Sequence, residues 1–116
     1  MVAHPALSDA EIDRVFHALA DATRRDIVAR VLAGEQASIS VLAARYAMSF
    51  AAVQKHVAVL EEAGLVTKQA QGRERIVRGN PERIAHAREL LGQLEALWKA
   101  RFSQIDSLFT DTSTQE

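Results

Sequence analysis

The tightest constraint on the fold lies between Ser40 and Asn80, where two amphipathic segments meet at a turn of very few residues. The first segment, Ser40-Val41-Leu42-Ala43-Ala44-Arg45-Tyr46-Ala47, reads as a short helix capped by Ser40. The second runs from Phe50 to Ala63, with Ser49 as N-cap and Gly64 at the left-handed position where helices end. So short a join makes the two helices cross at a steep angle. On the second helix, Val53, Val57 and Leu60 share one face at helical spacing and form its expected buried side. Ala51, Lys55, Ala58 and Glu62 lie opposite, with Phe50 and Gln54 at the edge. Leu65 to Arg78 then reads as a β-hairpin around Gly72, carrying Lys68, Arg73, Arg75 and Arg78 against Glu74.

The outer face of the second helix is not uniform. Glu61 and Glu62 sit at its C-terminal end, whereas its N-terminal half is small, polar and basic. Such a half suits insertion into a DNA major groove, N-terminus first. Gln54 can pair in a bidentate way with adenine, which discriminates against a wrong base by about 1–3 kcal/mol. Lys55 is placed for guanine or a phosphate. Taken alone, the helix reads more readily as an ordinary core helix and the hairpin as a solvated turn. Together, a helix-turn-helix followed by a basic hairpin is a winged helix. Phe50 suits either a thymine methyl or a protein partner, which leaves open a winged helix used as a protein-interaction module.

The formal net charge of −1 looks wrong for a DNA binder until it is divided along the chain. Residues 1–21 carry one basic and four acidic side chains (−3), residues 22–80 nine and five (+4), and residues 81–116 four and six (−2). The positive field belongs to the middle segment, and the shape of a field decides where a polyanion docks. With 116 residues and no cysteine, one domain is expected, with no disulfide and no thiolate metal site. No apolar run has the length of a membrane span, and the N-terminus lacks a signal-peptide core, so a cytoplasmic location and no membrane partner are expected.

The remaining elements follow from caps and stripes. Ser8 and Glu11 form a capping box for a first helix with the stripe Ile12, Val15, Phe16 and Leu19. Asp21 caps a second helix that buries Ile27, Val28, Val31 and Leu32 and stops at Gly34. Residues 35–38 read as a loop. After Asn80, Pro81 opens a final helix to about Phe109, and residues 110–116 read as a disordered tail. That helix repeats Ile84, Ala87, Leu91, Leu94, Trp98, Phe102, Ile105 and Phe109 at three- and four-residue steps. Burying each large apolar side chain contributes roughly 1.5–3 kcal/mol, so leaving the row in water is costly. A second copy of the chain is the expected cover, with Ile12, Phe16, Leu91, Leu94, Trp98, Phe102 and Ile105 as the dimerisation residues. The fold class is therefore mainly α: a winged helix-turn-helix, α-α-α-α-β-β-α, with helices over 8–33, helix-turn-helix over 40–64, wing over 65–79 and dimerisation helix over 80–109.

Several of these pieces carry a family resemblance. Leu19-Ala20-Asp21-Ala22-Thr23-Arg24-Arg25, Val53-Gln54-Lys55-His56-Val57, Leu60-Glu61-Glu62-Ala63-Gly64-Leu65-Val66 and Gly72-Arg73-Glu74-Arg75 resemble the arsenic-repressor (ArsR/SmtB-like) winged-helix regulators. The similarity spans about Ile12 to Phe109, and departs at Ala22, where the family usually has proline. It implies a homodimer that represses transcription from a pseudopalindromic operator in double-stranded DNA. The DNA-binding residues expected are Ser49, Phe50, Ala51, Gln54, Lys55, His56, Lys68, Arg73 and Arg75. Family metal sites use cysteines on the helix before the recognition helix, where this chain has Val41-Leu42-Ala43-Ala44, or paired His and acidic residues on the last helices, where it offers His86, Glu89 and Asp106. Zinc takes four N, S or O ligands, so no metal and no cofactor are expected, a metal-sensing repressor being the alternative. Nothing in the sequence has the spacing of a phosphate loop or a nucleophile with its base, so no enzyme activity is expected.

Overall fold

The ends of the helices are set by side chains that take up the backbone N–H groups a first turn leaves over. The computed structural model describes residues 7–114, and for 109–114 the backbone alone. α1 (Asp9–Leu19) starts with the expected capping box: the Ser8 hydroxyl accepts from the Glu11 N–H at 3.1 Å, and the Glu11 carboxylate from the Ser8 N–H at 2.9 Å. α2 (Ala22–Leu32) begins at Ala22, capped by Asp21, which accepts from the Arg24 N–H at 3.0 Å. Those backbone bonds are the first cause of the lowered carboxyl pKa of both Glu11 and Asp21.

The next cap corrects the sequence reading. Ser38, not Ser40, caps α3 (Ile39–Tyr46), accepting from the Val41 N–H at 3.1 Å. Starting there lets Ile39 point into the core, while Ser40 stays exposed. The chain arrives from a strand rather than a loop, because Ala37–Ser38 (β1) pair with residues of the hairpin. Two residues are too few to show an alternating pattern, so nothing in the sequence announced them. α4 (Phe50–Glu62) follows, with the Ser49 hydroxyl accepting from the Ala52 N–H at 3.1 Å and Gly64 at φ 77° just past its end.

β2 (Val66–Gln71) and β3 (Glu74–Gly79) are antiparallel, from Val66 opposite Gly79 to Gln71 opposite Glu74, and join at Gly72 and Arg73. Gly72 has φ 65°. A positive φ at the first turn position matches the right-handed twist of the strands and is available to glycine at little cost. With β1 the sheet has the order β1-β3-β2, all antiparallel, so the element string gains a strand between α2 and α3.

Val15 and Ala18 of α1, Ile27, Val28 and Val31 of α2, Leu42 of α3, and Val53, Val57 and Leu60 of α4 close the core over Leu65, Val66 and Val77. Leu32 departs from expectation: it is 37% exposed, at the edge against Gly79, where an added Cβ would meet its Cδ2 at 2.7 Å. A polar group ties α2 to α3. The Tyr46 hydroxyl donates to Asp26 at 2.5 Å, Arg30 donates to the same carboxylate oxygen at 2.8 Å, and Arg45 pairs with Glu35 at 2.7 Å. The Tyr46 bond is the first cause of the lowered Asp26 pKa, and burial the first cause of the raised Tyr46 pKa.

α5 (Pro81–Thr114) opens with Pro81 in the first turn; Asn80 before it donates to the Gly64 carbonyl at 2.8 Å. Residues 7–86 hold the core just described, and from Ala87 onward the helix is a separate unit. In that unit Leu91, Leu94, Leu97, Trp98, Phe102, Ile105 and Leu108 are all exposed. The expected disordered tail is corrected over 110–114, where the helix continues, since extending a formed helix is far easier than starting one. Residues 1–6, 115 and 116 lie outside the described residues. Among the described residues, no helix is long and apolar enough to cross a membrane.

The turn between α3 and α4 stores strain. Ala47 has φ 52° and ψ 41°, a left-handed conformation that costs an L-residue with a Cβ roughly 1–2 kcal/mol. Ala47→Gly is expected to raise the free energy of unfolding by about 0.5–1 kcal/mol, read as a higher urea midpoint at unchanged slope.

Candidate nucleic-acid interface

The inner face of α4 fixes what its outer face can offer. Val53, Val57 and Leu60 are fully buried, so the helix cannot roll about its axis without exposing them. This leaves Phe50, Ala51, Gln54 and Lys55 exposed together near the N-terminal end. The β2–β3 turn stands across from that end. Between them runs a groove of about 350 Å³, lined by Ser38, Ile39, Ser40, Phe50, Gln54, Arg73, Glu74 and Arg75.

Of the residues singled out from the sequence, Phe50, Gln54, Arg73 and Arg75 therefore meet in one groove. Ala51 and Lys55 are exposed on the same helix. The Ser49 hydroxyl accepts the Ala52 N–H as the helix cap and keeps its own proton to donate. Lys68 is elsewhere: its ammonium sits 3.3 Å from Glu61 and the side chain is 16% exposed, a clasp between β2 and the far end of α4. Arg78 likewise turns to its own hairpin, donating to Gln69 at 2.6 Å.

His56 is half-buried, and its Nδ1 lies 3.3 Å from the Arg24 guanidinium. Arg24 was quoted in the sequence only as part of a motif, and its work was not legible there. Its Nε donates to the Ala18 carbonyl at 2.7 Å and its Nη2 to the His17 carbonyl at 3.2 Å, with Asp21 at 3.9 Å. One side chain, 13% exposed, thus takes up carbonyls at the end of α1 and touches α4 through His56. An arginine donating to carbonyls reads as a neutral helix residue in sequence, because its partners are backbone atoms six and seven positions away. Ser38, Ser40 and Glu74 also line the groove without a local sequence signal, the two serines because the start of α3 depends on the pairing of β1 with β3.

The groove presents hydrogen-bonding side chains on a helix edge and two guanidinium groups on a hairpin. Among the described residues there is no group of three or more His, Asp or Glu side chains arranged to hold a metal ion.

Comparison with known proteins gives a consistent picture. Residues 19–69 match the family model described as a helix-turn-helix domain. The chain is 37% identical over 101 residues to the HTH-type transcriptional regulator Rv2034 of Mycobacterium tuberculosis, covering 86% of this chain and 94% of that one. An ArsR-like transcriptional regulator from Rhodococcus sp. RHA1 is 32% identical, with a TM-score of 0.72 over 85% of this chain and 92% of its own. The homodimeric winged helix-turn-helix DNA-binding domain of Mb0332 from Mycobacterium bovis, at 20% identity, shares the fold alone, with a TM-score of 0.60 over 81% of this chain and 94% of its own.

Proposed function

The chain belongs to the ArsR-like family of winged helix-turn-helix transcriptional regulators, and from that premise we propose that it acts as a homodimeric repressor on a two-fold symmetric operator, without a metal. DNA binding and transcription regulation come with membership of the family. The groove between α4 and the β2–β3 turn is the observation that carries the finer reading. α4 enters the major groove N-terminus first. Gln54 reads a base, Lys55 and Ser49 add contacts beside it, and Arg73 and Arg75 meet the phosphates flanking the helix. Occupying the operator keeps polymerase off, which is all that repression requires. Such a protein works where the chromosome is, in the cytoplasm.

The exposed apolar row on α5 supports the homodimer. Trp98 is 66% exposed, and its ring lies 6.4 Å from that of Phe102 at a tilt of 43°. Leu91, Leu94 and Ile105 extend the row in both directions, and a second copy offers a surface of the same length and character. In this reading Ile12 and Phe16 of α1 add to the seam. A two-fold pair sets two recognition helices on one face of a duplex, with half-sites about 34 Å apart or somewhat more. Metal independence rests on the donor set: the sequence holds no cysteine and four histidines.

Four substitutions or additions test the reading. Gln54→Ala should relax preference at one position per half-site, at a cost of about 1–3 kcal/mol, with little change at other positions. Arg73→Ala should weaken binding on every sequence and flatten the salt dependence by about one unit of slope. Uniform loss from the first, or an unchanged slope in the second, contradicts those roles. Trp98→Ala should shift the sedimentation of the protein toward a single chain; a mutant that stays a dimer removes Trp98 from the seam. Zinc added to the protein–DNA complex should leave it bound, and release coupled to one tight site per protomer or per dimer refutes metal independence.

A further inference from the structure

Phe50 sits in water at a place where the fold had other options. Val53, Val57 and Leu60 of the same helix are fully buried, yet the Phe50 ring at the first position of α4 is 50% exposed. Its neighbours along the groove are Ser40, Gln54, Arg73, Glu74 and Arg75, and the apolar Ile39 there is itself buried. A protein-docking patch needs contiguous apolar surface, whereas this ring shares its groove with two arginines, one glutamate, one glutamine and two serines. What fits is a strongly anionic surface with one small apolar group inside it. The major-groove edge of an A·T pair has that form, because thymine carries a 5-methyl there between lines of phosphate.

Position along the helix narrows the target. Phe50 and Gln54 are four residues apart, so they share one edge of α4 with a separation along its axis of about 6 Å. Base pairs stack about 3.4 Å apart, so that separation corresponds to about two base-pair steps. We infer that Phe50 reads the 5-methyl group of a thymine lying within two base-pair steps of the adenine that Gln54 reads. This rests on the proposed groove reading and adds to it a second specificity-determining residue, one that acts by apolar contact.

The test uses the full-length protein and a duplex selected from random sequence by that protein, with binding followed by fluorescence anisotropy at fixed salt. Each thymine in one half-site is replaced in turn by deoxyuridine, which removes the methyl and keeps the pairing. Affinity should fall about three- to fivefold at one thymine and hardly at all elsewhere. At that position a C·G pair should bind weakly, and 5-methylcytosine·G should recover part of the loss, since it restores a methyl at the same edge. Phe50→Ala should bind the thymine duplex less tightly and show no penalty for deoxyuridine, with circular dichroism checking that it folds. A flat deoxyuridine scan with wild-type protein overturns the inference while leaving the groove reading intact, and this arm decides even where Phe50→Ala binds nothing. A penalty that survives in Phe50→Ala overturns it too. Failure to select any duplex removes the groove reading and this inference with it.

Discussion

The burial of one side of α4 is the constraint on which everything outside the core depends. Val53, Val57 and Leu60 make the helix part of the hydrophobic interior, and each would cost on the order of 1.5–3 kcal/mol to expose. A helix held that firmly cannot adapt by rotating, so the residues on its outer edge have fixed directions. Such pre-organisation leaves little ordering to be done when a partner arrives. The same rigidity explains how a short turn at Ala47 is tolerated in a left-handed conformation: the packing on both sides dictates the backbone between them.

Polar side chains complete what the core begins, and they do so at the ends of helices. Asp21, Ser38 and Ser49 each accept a first-turn N–H. Arg24 does the converse at the end of α1, donating to the carbonyls of Ala18 and His17. Because its third contact is His56, the register of α1 and the seat of the recognition helix are adjusted by the same guanidinium. The Tyr46–Asp26–Arg30 group has a parallel role between α2 and α3. In each case the charged partner is already oriented by a backbone or a ring, which makes these contacts better defined than ordinary surface ion pairs.

Much of this was legible in the sequence, and the reasons divide cleanly. Caps formed by Ser8, Asp21 and Ser49, the glycine stops at Gly34 and Gly64, and the hairpin turn at Gly72 are local signals that act within three or four residues. Long stripes such as Val53, Val57 and Leu60 repeat often enough to read. What escaped depends on distant partners: β1 exists because β3 lies beside it, and the start of α3 shifted with it. Lys68 looked like a wing cation until Glu61, on another element, claimed it. Phe50, Gln54, Arg73 and Arg75 were selected by residue type and helix face. That they line one groove is a tertiary fact which the hairpin register supplies.

The apolar length of α5 has a further bearing under the proposed pairing. A side that is covered only by another copy ties the folded population to abundance, since mass action favours the paired state at high concentration and the single chain on dilution. Operator occupancy would then rise more steeply than linearly with the amount of protein made. Under the proposed repression, thinning of the protein through growth and turnover would then release the operator with no small molecule involved.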